Sequence, residues 1–164
     1  MLTATDHHRP PLPDNRIPIH AVNPQINARV ALFKGDIEAL AVSAIVNAAK
    51  RDLQGGGGVD FSVHMGACPR LALACKKHAP CPVGEARITS GFNLPAQGVI
   101  HTVGPNIPQG RRPTPYQASQ LQVCYINSLN AAATNNLATV AFPAISAGAY
   151  GYPPEEAAYM RVKQ

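Results

Sequence analysis

Residues Ile45 to Val63 constrain the fold of this chain more than any other stretch. They read Ile-Val-Asn-Ala-Ala-Lys-Arg-Asp-Leu-Gln-Gly-Gly-Gly-Gly-Val-Asp-Phe-Ser-Val. A short apolar run ends at Asn47, a loop follows, and four glycines lead to Val59-Asp60 at the start of a predicted helix. The first N–H groups of a helix have no partner within it, and the helix dipole adds positive potential there. Strand, glycine loop and helix start therefore present bare amides to an anion, and glycine lets a phosphate or sugar lie against the main chain. A glycine run taken alone is a weak signal and reads more readily as a flexible loop.

The rest of the chain sets the context for that stretch. Residues 1–27 contain Pro10, Pro11, Pro13, Pro18 and Pro24 and read as a Pro-rich tail, with a short strand near Ile17–Ile19 and a His7-His8 pair that looks like tail rather than metal site. Arg29–Lys34 reads as a strand that ends at Gly35-Asp36-Ile37, and Ser43–Asn47 is the next strand. Helices are expected at Val59–Gly66 and Pro69–Lys77, and strands at Ala86–Thr89 and Gly98–Val103. Thr114–Asn135 carries Leu121, Cys124, Leu129 and Ala132 near one helical face. A strand at Ala138–Phe142 and a helix beginning at Pro154 complete the pattern. Strands alternating with helices argue for an α/β sandwich, with ligands at the carboxyl ends of the strands, where Asn47 and the loop after Phe142 fall.

The bulk numbers narrow the function. At 164 residues one domain with one tail is expected, and no apolar run approaches the ~18 residues of a membrane span. A formal net charge of +5 suits an anionic partner, while the absence of Trp and an aromatic content of 5% supply a base-stacking surface poorly. Cys68, Cys75, Cys81 and Cys124 lack zinc-site spacing and read as free thiols, and Met1–Arg16 has no signal-like apolar core. A cytoplasmic protein is expected.

A second loop, Phe142-Pro-Ala-Ile-Ser-Ala-Gly-Ala-Tyr-Gly-Tyr-Pro153, also follows a strand and precedes a helix. Ser146, Ala147, Gly148 and Ala149 could expose successive N–H groups as an anion nest, with Tyr150 packing on a sugar. A tight turn with Tyr150 covering the core edge fits as well.

Both loops, together with Gly35-Asp-Ile37, Ala44-Ile-Val-Asn-Ala-Ala49, Gly84-Glu-Ala-Arg-Ile-Thr89 and Val99-Ile-His-Thr-Val-Gly-Pro105, occur in the order and spacing of a known family. Over about Arg29–Ala158 the chain resembles a macrodomain of the MacroD type, which includes O-acetyl-ADP-ribose deacetylases and mono-ADP-ribosyl hydrolases. The resemblance implies a three-layer α/β/α sandwich with a mixed central sheet spanning 28–164, short of the family's last strand and helix. It implies ADP-ribose, ADP-ribosylated proteins or O-acetyl-ADP-ribose as ligand, with no cofactor and no metal. Asp36 and the Ile37 amide would hold the adenine, and Asn47 the distal ribose hydroxyls. Gly56, Gly57, Gly58 and Val59 would wrap the distal ribose and a phosphate, and Ser146, Ala147, Gly148, Ala149 and Tyr150 would close over the diphosphate. Asp60, assisted by the substrate phosphate, would position the water that hydrolyses an ADP-ribosyl ester, with Asn47 beside it. His64 and His101 fall in family motifs but read as core or edge residues.

Two residues depart from the family pattern. Lys50 stands where catalytic members carry a second asparagine, and Phe61 where a small residue is usual. Both leave open a non-catalytic reader of ADP-ribose, and the net charge leaves open an RNA-binding domain.

Overall fold

The computed structural model describes residues 24–158. The chain divides into two compact units, Met1–Lys34 and Gly35–Gln164. In the first, a single turn of helix, α1, covers Pro24–Asn27. The expectations at Ile17–Ile19 and His7-His8 lie outside the described residues. Arg29–Lys34 is not a strand: it follows the turn after α1 as irregular chain. Its short apolar run suits a strand, but a strand forms only by pairing, and none of the described strands pairs with it.

The second unit is built on a four-stranded mixed sheet. After a 3-10 turn at Ile37–Ala39 come β1 (Ala44–Ala48), α2 (Val59–Ala67), α3 (Pro69–Lys76), β2 (Ala86–Ser90), β3 (Gly98–Thr102), α4 (Pro115–Thr134), β4 (Val140–Ala141) and α5 (Pro154–Ala158). The strand order is β2-β3-β1-β4. β1 runs parallel to both β3 and β4, and β2 is antiparallel to β3. The central pair is covered on both faces, which is why β1 and β3 read as nearly continuous apolar runs.

Side chains alternate across the sheet, so one strand feeds two cores. Ile45 and Val99 pack with Leu53, Val63, Ala67, Leu71 and Cys75 of the α2–α3 side. Ala44, Val46 and Ile100 pack with Leu121, Cys124, Ala132 and Ile145 of the α4 side. Helix, sheet and helix thus form the three layers expected.

Two details of the helices follow from sequence chemistry. α2 and α3 break at Cys68, held at φ 75°, with Pro69 opening the second helix. α4 starts with a complete capping box, in which Thr114 accepts from the Gln117 amide and Gln117 from the Thr114 amide. Its buried stripe is Leu121, Cys124, Ser128 and Ala132; Leu129, expected among them, is 43% exposed. Steps of three and four from Leu121 reach Ser128, and the next residue is turned about 100° away.

Candidate functional site

A cleft of about 300 Å³ opens where three parallel strands end. Ala48 ends β1 and Ala49 and Lys50 follow it, Gly104 follows β3, and Pro143 and Ala144 follow β4. Gly57, Gly58, Val59 and Asp60 form one wall, and Ser146, Gly148, Ala149 and Tyr150 the other. A second hollow, about 360 Å³, lies at the opposite end of the sheet around Ser90, Gly98 and Leu137.

The first wall is a helix start left open. The N-cap of α2 is Gly58, at φ 59°, which has no side chain to cap the helix. The first amide of this turn to find a described carbonyl is Ser62, bonded to Gly58, so those of Gly57 to Phe61 remain available. α4 shows the contrast, since its own side chains satisfy its start.

The second wall turns on Ser146, a non-glycine residue at φ 62°. Ser146 accepts through its carbonyl from Tyr152, and the Gly151 amide donates back to Gly148, closing the loop on itself. The amides of Ser146, Gly148, Ala149 and Tyr150 reach no described carbonyl. Gly104 permits this arrangement: a Cβ there would lie 2.0 Å from Ser146 Oγ and 2.8 Å from Ile145 Cγ2.

Asp60, only 2% exposed, sits at the cleft floor. Asn47 Nδ2 donates to its Oδ1 at 2.7 Å, and His64 Nε2 lies 3.5 Å from the same oxygen. Oδ2 has no partner. Burial pushes the Asp60 carboxyl above the usual 3.8, against the Asn47 hydrogen bond and the nearby His64 and Lys50, with Asp52 adding to the rise. The carboxylate therefore holds a proton more readily than an exposed one. Lys50 lies close by without pairing: a Cβ on Gly56 would meet Lys50 Cε at 2.7 Å and Asp60 Oδ2 at 3.1 Å. Burial likewise raises the Tyr150 phenol, with Asp60 and Asp52 adding, so it remains a donor.

The expected site residues divide by position. Gly57, Gly58, Val59, Asp60, Ser146, Gly148, Ala149 and Tyr150 converge on the cleft, while Gly56 and Ala147 stand beside it. Asp36 and Ile37 do not line it; Asp36 is exposed at the 3-10 turn, and Ile37 packs on the α2–α3 core. Asn47 is wholly buried behind Asp60, and its nitrogen is spent on Asp60 and His101 rather than presented to the cleft. Phe61 is 57% exposed on the outer side of α2. Lys50, Gly104, Pro143 and Ala144 line the cleft without having been singled out as binding residues.

Sequence spacing also hid a buried polar group. His64, Cys75 and His101 bring three metal-ligating atoms within 4.8 Å of one another, the one such group among the described residues. In this structure His101 Nε2 is engaged with Thr89 Oγ1 at 3.0 Å and Cys75 Sγ at 3.6 Å. Burial drives the Cys75 thiol up to about 11, helped by Asp60, so it stays protonated.

The Macro domain family profile matches residues 46–160. The ADP-ribose glycohydrolase MACROD1 of Rattus norvegicus is 49% identical over 141 residues, 86% of this chain and 54% of the rat protein. This chain thus spans about half the length of that relative. The O-acetyl-ADP-ribose deacetylase of Citrobacter rodentium is 47% identical over 141 residues, covering 84% of this chain and 78% of that protein. Among solved structures, the Trypanosoma brucei macrodomain in complex with ADP-ribose superposes with a TM-score of 0.72 at 40% identity, covering 80% of this chain and 53% of that one.

Proposed function

The chain belongs to the Macro domain family, and we propose on that footing that it binds ADP-ribose and hydrolyses ADP-ribosyl esters. The substrates are O-acetyl-ADP-ribose or ADP-ribose esterified to an Asp or Glu side chain. The observation that carries the reading is the pairing of two amide-rich walls with a buried carboxylate between them.

The diphosphate lies against the amides of Gly57 to Asp60 and of Ser146, Gly148, Ala149 and Tyr150, where neutral N–H groups and the start of α2 favour negative charge. Tyr150 packs on the distal ribose through its ring. Asp60 and a substrate phosphate oxygen hold the attacking water. Burial makes Asp60 the more basic carboxylate, suited to taking the water proton as the ester bond breaks. The water oxygen bonds to the ester carbon as the C–O bond breaks, and Asp60 passes the proton it took to the departing oxygen; the products are ADP-ribose and the carboxylic acid, whose own proton goes to solvent as it ionises. Asp36 and Ile37 would reach the adenine only at the periphery of the site, and Asn47 serves Asp60 directly.

A reader without turnover is the second reading, favoured by Lys50. Its ammonium lies beside Gly56 and Asp60, where it can hold the carboxylate instead of a water. Thermal unfolding and product assay separate the two. ADP-ribose at a hundredfold its Kd should stabilise the fold by about 2.7 kcal/mol, with AMP well behind. Release of ADP-ribose from O-acetyl-ADP-ribose by the same sample would exclude the reader. Absence of a shift with ADP-ribose would overturn both.

A further inference from the structure

Asp60 is held from behind by a relay of side chains that crosses the sheet. Asn47 on β1 donates one amide N–H to Asp60 Oδ1 at 2.7 Å, and the same nitrogen lies 3.2 Å from His101 Nδ1 on β3. His101 Nε2 lies 3.0 Å from Thr89 Oγ1 on β2. Asn47 and His101 are direct partners in the parallel register, so the backbone ladder fixes their spacing.

The direction of every hydrogen bond in the relay follows from one charge. An ionised carboxylate only accepts, so Asn47 must turn its nitrogen toward Asp60. That nitrogen only donates, so His101 Nδ1 must accept, and the ring proton sits on Nε2, facing Thr89.

We propose that His101 is a positioning residue for turnover, acting through Asn47 to fix the Asp60 carboxylate; this rests on Asp60 being the group that holds the water. With Oδ1 pinned by Asn47, the unpartnered Oδ2 keeps one aim. Without that hold, Asp60 has competing partners at hand, His64 already 3.5 Å away and Lys50 across Gly56. Either would turn the carboxylate from its water. Asn47 and His101 are both wholly buried, so no solvent molecule substitutes for them. Burial, helped by the nearby His64 and His78, holds His101 down to about 3, and the acceptor at Nδ1 persists through neutral pH.

The test is a double-mutant cycle on the full chain, with kcat for O-acetyl-ADP-ribose and Kd for ADP-ribose measured on each variant. His101→Leu should lower kcat by about ten- to a hundredfold, the order expected for a misaimed catalytic group, with Kd within about threefold. His101→Gln, whose amide oxygen can accept from Asn47, should recover most of the loss. The Asp60→Ala, His101→Leu double variant should be no slower than Asp60→Ala alone. Multiplying losses in the double variant would overturn the proposal, as would a fall in both kcat and affinity that Gln does not restore. Should His101→Leu fail to fold, the Thr89→Val, Cys75→Ala pair removes both partners of Nε2, and an unchanged kcat there would overturn it too. If Asp60→Ala itself turns over normally, Asp60 is misassigned and both readings fall together; a slow Asp60→Ala with an unaffected His101→Leu sinks only this one.

Discussion

On the α4 side of the sheet, each buried polar group is closed off locally. Ser128 Oγ donates to the Cys124 carbonyl, Cys124 Sγ to the Val103 carbonyl, and the rest of that core is largely aliphatic. On the α2–α3 side the same strands carry Asn47 and His101, and α2 carries Asp60 and His64. There Asn47 Oδ1, Asp60 Oδ2 and His64 Nε2 are buried without a partner. Such atoms cost stability, since burial removes water and nothing replaces it. The difference teaches that one face holds the sheet together while the other carries a cost for chemistry. The switch is a single step along β1, from Val46 on one side to Asn47 on the other.

That contrast can be broken or sharpened by substitution. The largest effect belongs to Asp60→Ala, which should lower turnover of an ADP-ribosyl ester about 10²–10⁴-fold, the range of a lost acid–base group. ADP-ribose affinity by calorimetry should change less than about threefold. Equal loss of both would make Asp60 a binding residue, and the α2–α3 face would lose its distinction.

On the opposite face, Leu121→Ala removes a fully buried side chain and should cost about 2–5 kcal/mol in denaturant unfolding. Turnover per folded molecule should not change. A fall in kcat would show that the two faces are coupled through the sheet.

Asp60→Asn gives the smallest effect, and of opposite sign. The carboxyl is raised above 3.8 in the fold, so the folded state binds its proton more readily than the unfolded chain. Stability from this group is therefore present at low pH and is lost as pH rises through the raised value. At pH 7 the substitution should lift Tm by about 2–4 °C, the equivalent of ~1 kcal/mol in a domain of this size, while turnover falls. Below pH 3.8 the gain should disappear. A variant less stable at pH 7 would mean that the Asn47 and His64 interactions outweigh the burial.

Much of the cleft was legible in the sequence because it is local. Both amide-rich walls are short strand-to-helix connections, and small residues with unsatisfied helix amides can be read from adjacent positions. The relay behind Asp60 was not legible, since its members are joined across separations of 13 and 54 residues. One clue was present: Asn47 shares the parity of Ile45, and in a strand covered on both faces that points it into a core. Asp36 carried a family role in the sequence, yet the 3-10 turn leaves it exposed and outside the cleft lining. Arg29–Lys34 had the pattern of a strand but no described partner, and pairing, not propensity, decides.

The uncapped start of α2 has a last consequence. Among the described residues lining the cleft, Lys50 and Asp60 are the charged side chains, and their signs cancel. A phosphate seated there is gripped by backbone dipoles at contact distance, not by a field of mobile cations. Dissolved ions screen charges across a Debye length of about 8 Å at physiological strength, but they cannot enter a contact between an amide hydrogen and an oxygen. Binding there should therefore weaken less with ionic strength than binding to a field of lysines would, the part owed to the helix dipole and to Lys50 being the part that salt screens.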